Sequence, residues 1–145
     1  MLRGNAPARI DEKGRLKIPS VYRGDIQDSW GGDFYVTSIT GQSVRVYPLL
    51  VWQEIEDRLA KLPSFNPTKR KFLDRTNYYG QLSSIDKQGR ILIPPLLRKS
   101  AKMDGEVAVL GYLTYLEVCN NDMFLERLGE LTKQDEMDIS TELGV

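Results

Sequence analysis

A fourteen-residue stretch occurs twice in this chain, and no other feature constrains the fold as much. The first copy, Ile10 to Arg23, reads I-D-E-K-G-R-L-K-I-P-S-V-Y-R; the second, Ile85 to Arg98, reads I-D-K-Q-G-R-I-L-I-P-P-L-L-R, offset by 75 positions. Seven of the fourteen positions are identical: Ile10/Ile85, Asp11/Asp86, Gly14/Gly89, Arg15/Arg90, Ile18/Ile93, Pro19/Pro94 and Arg23/Arg98. Leu16/Ile91 and Val21/Leu96 are apolar in both copies. So dense a match in 145 residues reads as an internal duplication and predicts a chain of two like halves.

Each copy reads as a β-hairpin. Ile10, Leu16 and Ile18 flank a polar three-residue loop, Glu12-Lys13-Gly14. Such a loop needs one residue at positive φ, which Gly14 supplies in the first copy and Gly89 in the second. Asp11 then faces Arg15 across the mouth of the turn, and Asp86 faces Arg90, as opposite-charge cross-strand pairs. The following proline ends the strand, because it cannot donate to a ladder. Ser20 and Pro95 suit the start of a short helix.

The doubled D-x-x-G-R-x-x-I-P hairpin resembles the MraZ family of bacterial transcriptional regulators. So do the opening Met1-Leu2-Arg3-Gly4 and the Tyr47-Pro48-Leu49 segment with Trp52 nearby. The resemblance runs from residue 1 to about 130; one hairpin alone would indicate only the wider SpoVT-AbrB superfamily. It implies an α+β fold: two tandem swapped-hairpin AbrB-like repeats forming one pseudo-twofold β-barrel flanked by helices. It also implies sequence-specific binding of double-stranded DNA through the hairpins, with Arg15 as the first reader, Arg90 as the second, and Arg3 of the N-terminal motif as a further contact. The family implication extends to a homo-oligomeric ring bound to promoter direct repeats. Such a ring would repress a division and cell-wall gene cluster that begins with the protein's own gene.

Charge supports a nucleic-acid partner independently. The formal net charge is zero, but it is segregated. Residues 1–24 carry six Lys/Arg against two Asp/Glu, residues 58–75 six against one, and residues 84–102 five against one. Residues 25–57 carry one against six, and residues 103–145 two against ten. Both hairpin copies and the connecting segment are thus basic, which makes a positive face on a neutral protein. On charge alone, Lys13, Lys17 and Lys87 are candidates for DNA-backbone contact. Lys13 and Lys17 correspond to Gln88 and Leu92, so the first hairpin is expected to be the stronger reader and the second to serve oligomer contacts in part.

Composition removes several function classes. There is no histidine and only one cysteine, Cys119. Ser-His-Asp and Cys-His catalysis, His- or Cys-based zinc sites and histidine pH switching are therefore absent. No Lys, Asp, Glu, Tyr or Ser constellation has catalytic spacing, so the expectation is a non-enzyme with no cofactor and no metal. No apolar run approaches the roughly 18 residues of a membrane span, and no signal-peptide pattern opens the chain, so a cytoplasmic, nucleoid-associated protein is expected. Cys119 lies in a strand pattern and reads as a buried structural thiol.

In chain order, residues 1–62 read as the first SpoVT-AbrB-like repeat with its helix. Residues 63–78 read as a basic helical connector, residues 79–132 as the second repeat with its helix, and residues 133–145 as a disordered acidic tail. Strands are expected at 5–11, 15–19, 34–39 and 44–47. Leu49, Trp52, Ile55, Leu59 and Leu62 share one face of a helix starting at Pro48. Asn66 is placed to cap the connector helix. Each half left alone would expose sheet edges, and a closed barrel of interleaved halves is the expected remedy.

The two arginines are the sharpest functional signal. A surface ion pair contributes only about 0–1 kcal/mol, so stability gives little reason for arginine specifically at both sites. An arginine held by a carboxylate on a two-stranded ribbon is preorganised for the major groove, where guanine is its commonest specific partner. The alternative from another class is an antitoxin-like protein-interaction module on the same barrel, with Lys133 to Val145 wrapping a partner. That tail is short and is read as lacking apolar anchors.

Overall fold

The computed structural model describes residues 1–145. The first half of the chain forms β1 (Asn5–Arg9), β2 (Arg15–Lys17), α1 (Ser20–Trp30), β3 (Asp33–Thr37), β4 (Val44–Pro48) and α2 (Leu49–Ala60), followed by α3 (Pro67–Tyr78). The second half forms β5 (Gln81–Ser84), β6 (Arg90–Leu92), α4 (Pro95–Ser100), β7 (Glu106–Tyr112), β8 (Tyr115–Asn120), α5 (Asn121–Leu128) and α6 (Lys133–Leu143). The class is α+β and every strand pair is antiparallel.

Six strands make one sheet in the order β1-β7-β8-β4-β3-β5, while β2 and β6 pair only with each other. The strand before each hairpin is therefore taken up by the other half: Asn5 to Arg9 lie opposite Leu110 to Glu106, and Gln81 to Ser84 opposite Val36 to Asp33. The barrel expected from sequence does not close. β1 and β5 remain separate edges, each with a single neighbour. The reason lies in Pro19 and Pro94, which end β2 and β6 after three residues and turn the chain into α1 and α4. These short strands pair only with each other, so a two-stranded ribbon and two helices cover the core where a ladder was expected. Pro7 is tolerated in β1 because β1 is an edge.

Alternation sorts the side chains onto two faces. Phe34, Val36, Val44, Val46, Val107, Val109, Leu116 and Val118 point inward and meet Leu16, Ile18, Ile91 and Ile93 of the ribbon segments, with Tyr22, Ile26 and Leu97 from α1 and α4. On the other face, Tyr35 stacks on Trp52 of α2 at a centroid distance of 4.7 Å, Tyr47 packs against it at a tilt at 5.1 Å, and Phe72 of α3 covers Trp52 at 6.2 Å. The Tyr35 hydroxyl and Thr37 Oγ1 both donate to the Thr76 carbonyl, fixing α3 to the sheet. Glu117 is buried and accepts from Ser43 Oγ and from Arg127 Nη2, which ties α5 to β8. Trp30, at the end of α1, packs against both clusters.

Asn66 caps α3 as expected, accepting from the Thr68 and Lys69 N–H groups. The acidic C-terminal segment differs from expectation. It forms α6, started by a Thr132–Asp135 capping box and ended by left-handed Gly144. Complete caps at both ends satisfy backbone groups locally, which acidic composition alone does not reveal.

Candidate nucleic-acid interface

The hairpin chemistry is local and nearly identical in the two copies. Asp11 Oδ1 accepts from the Lys13 and Arg15 backbone N–H groups at 3.0 and 2.9 Å, and Gly14 N–H donates to the Asp11 carbonyl at 2.9 Å. Gly14 sits at φ +82° and Gly89 at +78°, the left-handed positions the tight loops require. In the second hairpin Asp86 Oδ1 accepts from the Gln88 and Arg90 N–H groups, each at 2.9 Å.

The side-chain arrangement follows from this scaffold. Arg15 Nε–H donates to Asp11 Oδ2 at 2.8 Å, and Arg90 Nε–H donates to Asp86 Oδ2 at 2.8 Å. A tether through Nε leaves both terminal nitrogens of Arg15 without a protein partner, an end-on fork of free N–H donors. The Arg15 side chain is 31% exposed and that of Arg90 25%, so neither guanidinium is sealed in the interior. Because β2 pairs with β6, Lys17 lies opposite Arg90 and Arg15 opposite Leu92. Arg90 Nη1 also lies 3.9 Å from Asp11 Oδ2, which draws the two arginines into one cluster. The Arg15 backbone N–H, and then its guanidinium, hold the Asp11 carboxyl below its ordinary range; Arg90 does the same for Asp86.

Lys13, Lys17 and Lys87 are exposed on or beside the turns. Arg3 is not brought to this cluster. It follows Leu2, which bridges to Leu113 at the opposite end of β1, on the order of 25 Å from the turn by strand rise. Sequence reasoning gave Arg23 and Arg98 no role. Gly14 and Gly89 are buried because these arginines lie over them: Arg98 over the first turn and Arg23 over the second. Their identity in the duplicated stretch was the available signal, but only the exchange of strands explains it. No group of His, Cys, Asp or Glu is arranged to hold a metal ion, and no helix is long and apolar enough to cross a membrane.

A basic β-ribbon carrying paired, carboxylate-held arginines is the equipment of a nucleic-acid-facing regulator, and comparison with known proteins agrees with that class. The family model described as "MraZ protein, putative antitoxin-like" matches residues 1–75 and 81–142, so the chain belongs to the MraZ family. The protein named Transcriptional regulator MraZ from Acidobacterium capsulatum is 46% identical over 142 residues, covering 97% of each chain. Its namesake from Koribacter versatilis is 47% identical over 148 residues, covering all of both. That from Thiobacillus denitrificans is 37% identical over 120 residues, covering 83% of this chain and 81% of its own. Family and relatives together make this chain a transcriptional regulator.

Proposed function

We propose that the protein binds specific double-stranded DNA through its hairpins and so controls transcription. Arg15 is the principal base reader, oriented by Asp11; Arg90, oriented by Asp86, is the second. The observation that carries this reading is the Nε tether, which holds a part-exposed guanidinium in place while leaving its terminal nitrogens free. Those nitrogens match the O6 and N7 acceptors of guanine in the major groove, which admits a two-stranded ribbon. Lys13, Lys17 and Lys87 supply backbone contacts. Arg3, far from the turns, can touch only a separate stretch of the same duplex.

The finer reading takes residues 1–62 and 79–132 as two SpoVT-AbrB-like repeats joined by the connector 63–78. Several copies assemble into a ring on promoter direct repeats, where subunits pointing the same way engage successive repeats and weak contacts add through avidity. The regulator acts as a repressor of a cluster that includes its own gene. The test is a gel shift with DNA from directly upstream of the protein's own reading frame. Tight binding relative to a scrambled duplex is expected, with log K falling by about 0.9 per log unit of salt for each phosphate neutralised. Equal affinity for both duplexes, or a flat salt profile, would count against it.

A second reading, a protein-interaction module, draws on the family description and on α6. This helix leaves Met137, Ile139 and Leu143 exposed, so the C-terminal segment has the apolar anchors that its composition was read as lacking. Co-purification of a small toxic protein would favour that reading.

A further inference from the structure

Exchange of strands gives the two hairpins unlike neighbours. The turn of the first is backed by α4, from the second half of the chain: a Cβ placed on Gly14 would collide with the Arg98 guanidinium. The turn of the second is backed by α1, where Arg23 lies over Gly89. Beside the first hairpin, α4 and the turn that follows it bring up Lys99 and Lys102, both exposed. A groove runs between them and the hairpin, lined by Ile10, Asp11 and Glu12 on one side and by Arg98, Lys99 and Lys102 on the other, with Asp104 close by.

Lys102 is held where it is. Its backbone is left-handed at φ +54°, its N–H donates to the Lys99 carbonyl, and its own carbonyl accepts from Asn120 Nδ2. Neither lysine is ion-paired to Glu12 or Asp104, and Asp11 is already engaged by Arg15. Shifted back by the 75-residue offset, Lys99 and Lys102 fall on Gly24 and Gln27 of α1, which are flanked by Asp25 and Asp28. Around the first hairpin stand Lys13, Arg15, Arg98, Lys99 and Lys102 against Asp11, Glu12 and Asp104. Around the second stand Lys87, Arg90, Arg23 and Lys17, which lies opposite Arg90, against Asp86 and the α1 carboxylates Asp25 and Asp28. The excess of cations is larger at the first hairpin, because Lys99 and Lys102 have no basic counterparts in α1.

We infer that Lys99 and Lys102 hold the phosphodiester backbone of the duplex beside the first hairpin. The base reader and this phosphate clamp then come from opposite halves of the chain, and the second hairpin has no equivalent. A compact ammonium, unpaired and exposed next to a ribbon, suits phosphate neutralisation and carries no sequence information of its own. This role rests on the DNA-binding reading above.

The test compares K99Q/K102Q with K61Q/K133Q, which removes the same charge from exposed positions elsewhere. Each is titrated with the upstream duplex and with its scrambled counterpart across a salt series. The expected loss for K99Q/K102Q is the same factor on both duplexes, on the order of tenfold per lysine at about 0.1 M salt, with the salt slope shallower by about 2. K61Q/K133Q should bind like the unmodified protein. Wild-type behaviour of K99Q/K102Q, or an equal loss in K61Q/K133Q, would overturn the clamp while leaving the DNA reading intact. No affinity of the unmodified protein for either duplex would overturn the DNA reading itself, and the clamp with it.

Discussion

Replacing Gly14 by alanine probes the seating of the first hairpin on the opposite half of the chain. Gly14 lies at φ +82°, and a Cβ there would fall on the Arg98 guanidinium. The left-handed backbone alone costs an L side chain about 1–2 kcal/mol. The clashing atoms are the far end of the Arg98 side chain, whose Nε is buried and unpartnered; displacing them to admit the methyl costs about 1–3 kcal/mol more. Gly4 is the internal control, with φ +87° and nothing within 4 Å of its added Cβ. Gly14→Ala should therefore lose about 2–5 kcal/mol and Gly4→Ala about 1–2 kcal/mol. Urea unfolding followed by circular dichroism measures both, provided the denaturant slope is unchanged. Arg98→Ala completes a double-mutant cycle: with the guanidinium removed, Gly14→Ala should cost only its backbone share, leaving a coupling of about 1–3 kcal/mol. Equal losses at Gly14 and Gly4, together with an additive cycle, would refute the packing of α4 on the turn.

Other consequences follow from the outer face and the turns. Trp52→Ala removes the side chain that Tyr35, Tyr47 and Phe72 pack against, and should cost about 3–5 kcal/mol in the same unfolding assay. The Cys119 thiol is pushed up to about 11, by burial first and then by the Glu117 charge, so maleimide at pH 8 should label it only after unfolding. Asp11 and Asp86 are depressed below the ordinary aspartate value of 3.8, so the unfolded chain binds more protons than the folded one as pH falls toward that value. Their contribution to stability is complete above about pH 4 and is lost on further acidification. In an acid unfolding titration, Asp11→Asn should flatten that part of the curve; an unchanged curve would show that the tether does not matter for folding.

The parts of this structure that were legible in the sequence are those made by neighbours along the chain. The Asp-x-x-Gly-Arg spacing alone dictates a tight turn with one left-handed glycine, and the Asp–Arg tether follows because the turn places the two side chains together. Asn66 before Pro67 was readable as a helix cap for the same reason. The closed barrel was not a safe deduction. Open edges argue for some covering of the core, but they do not distinguish a ladder from a ribbon with two helices. The helicity of residues 133–143 was hidden by acidic composition, although Thr132 and Asp135 carry the capping signal. The placement of Arg23, Arg98, Lys99 and Lys102 depends on strand exchange, which juxtaposes residues some 65–90 positions apart; no local pattern encodes that.

The central claim is that Arg15 reads bases from a rigid ribbon, and Arg15→Ala tests it most directly. The measurement is equilibrium binding of Arg15→Ala and the unmodified protein to the upstream duplex and to its scrambled counterpart, with circular dichroism and sedimentation run alongside. Arg15→Ala should keep its fold and oligomeric state and retain weak, salt-sensitive affinity for both duplexes, but lose the preference for the upstream sequence. A variant that still distinguishes the two duplexes as well as the unmodified protein does would contradict the account.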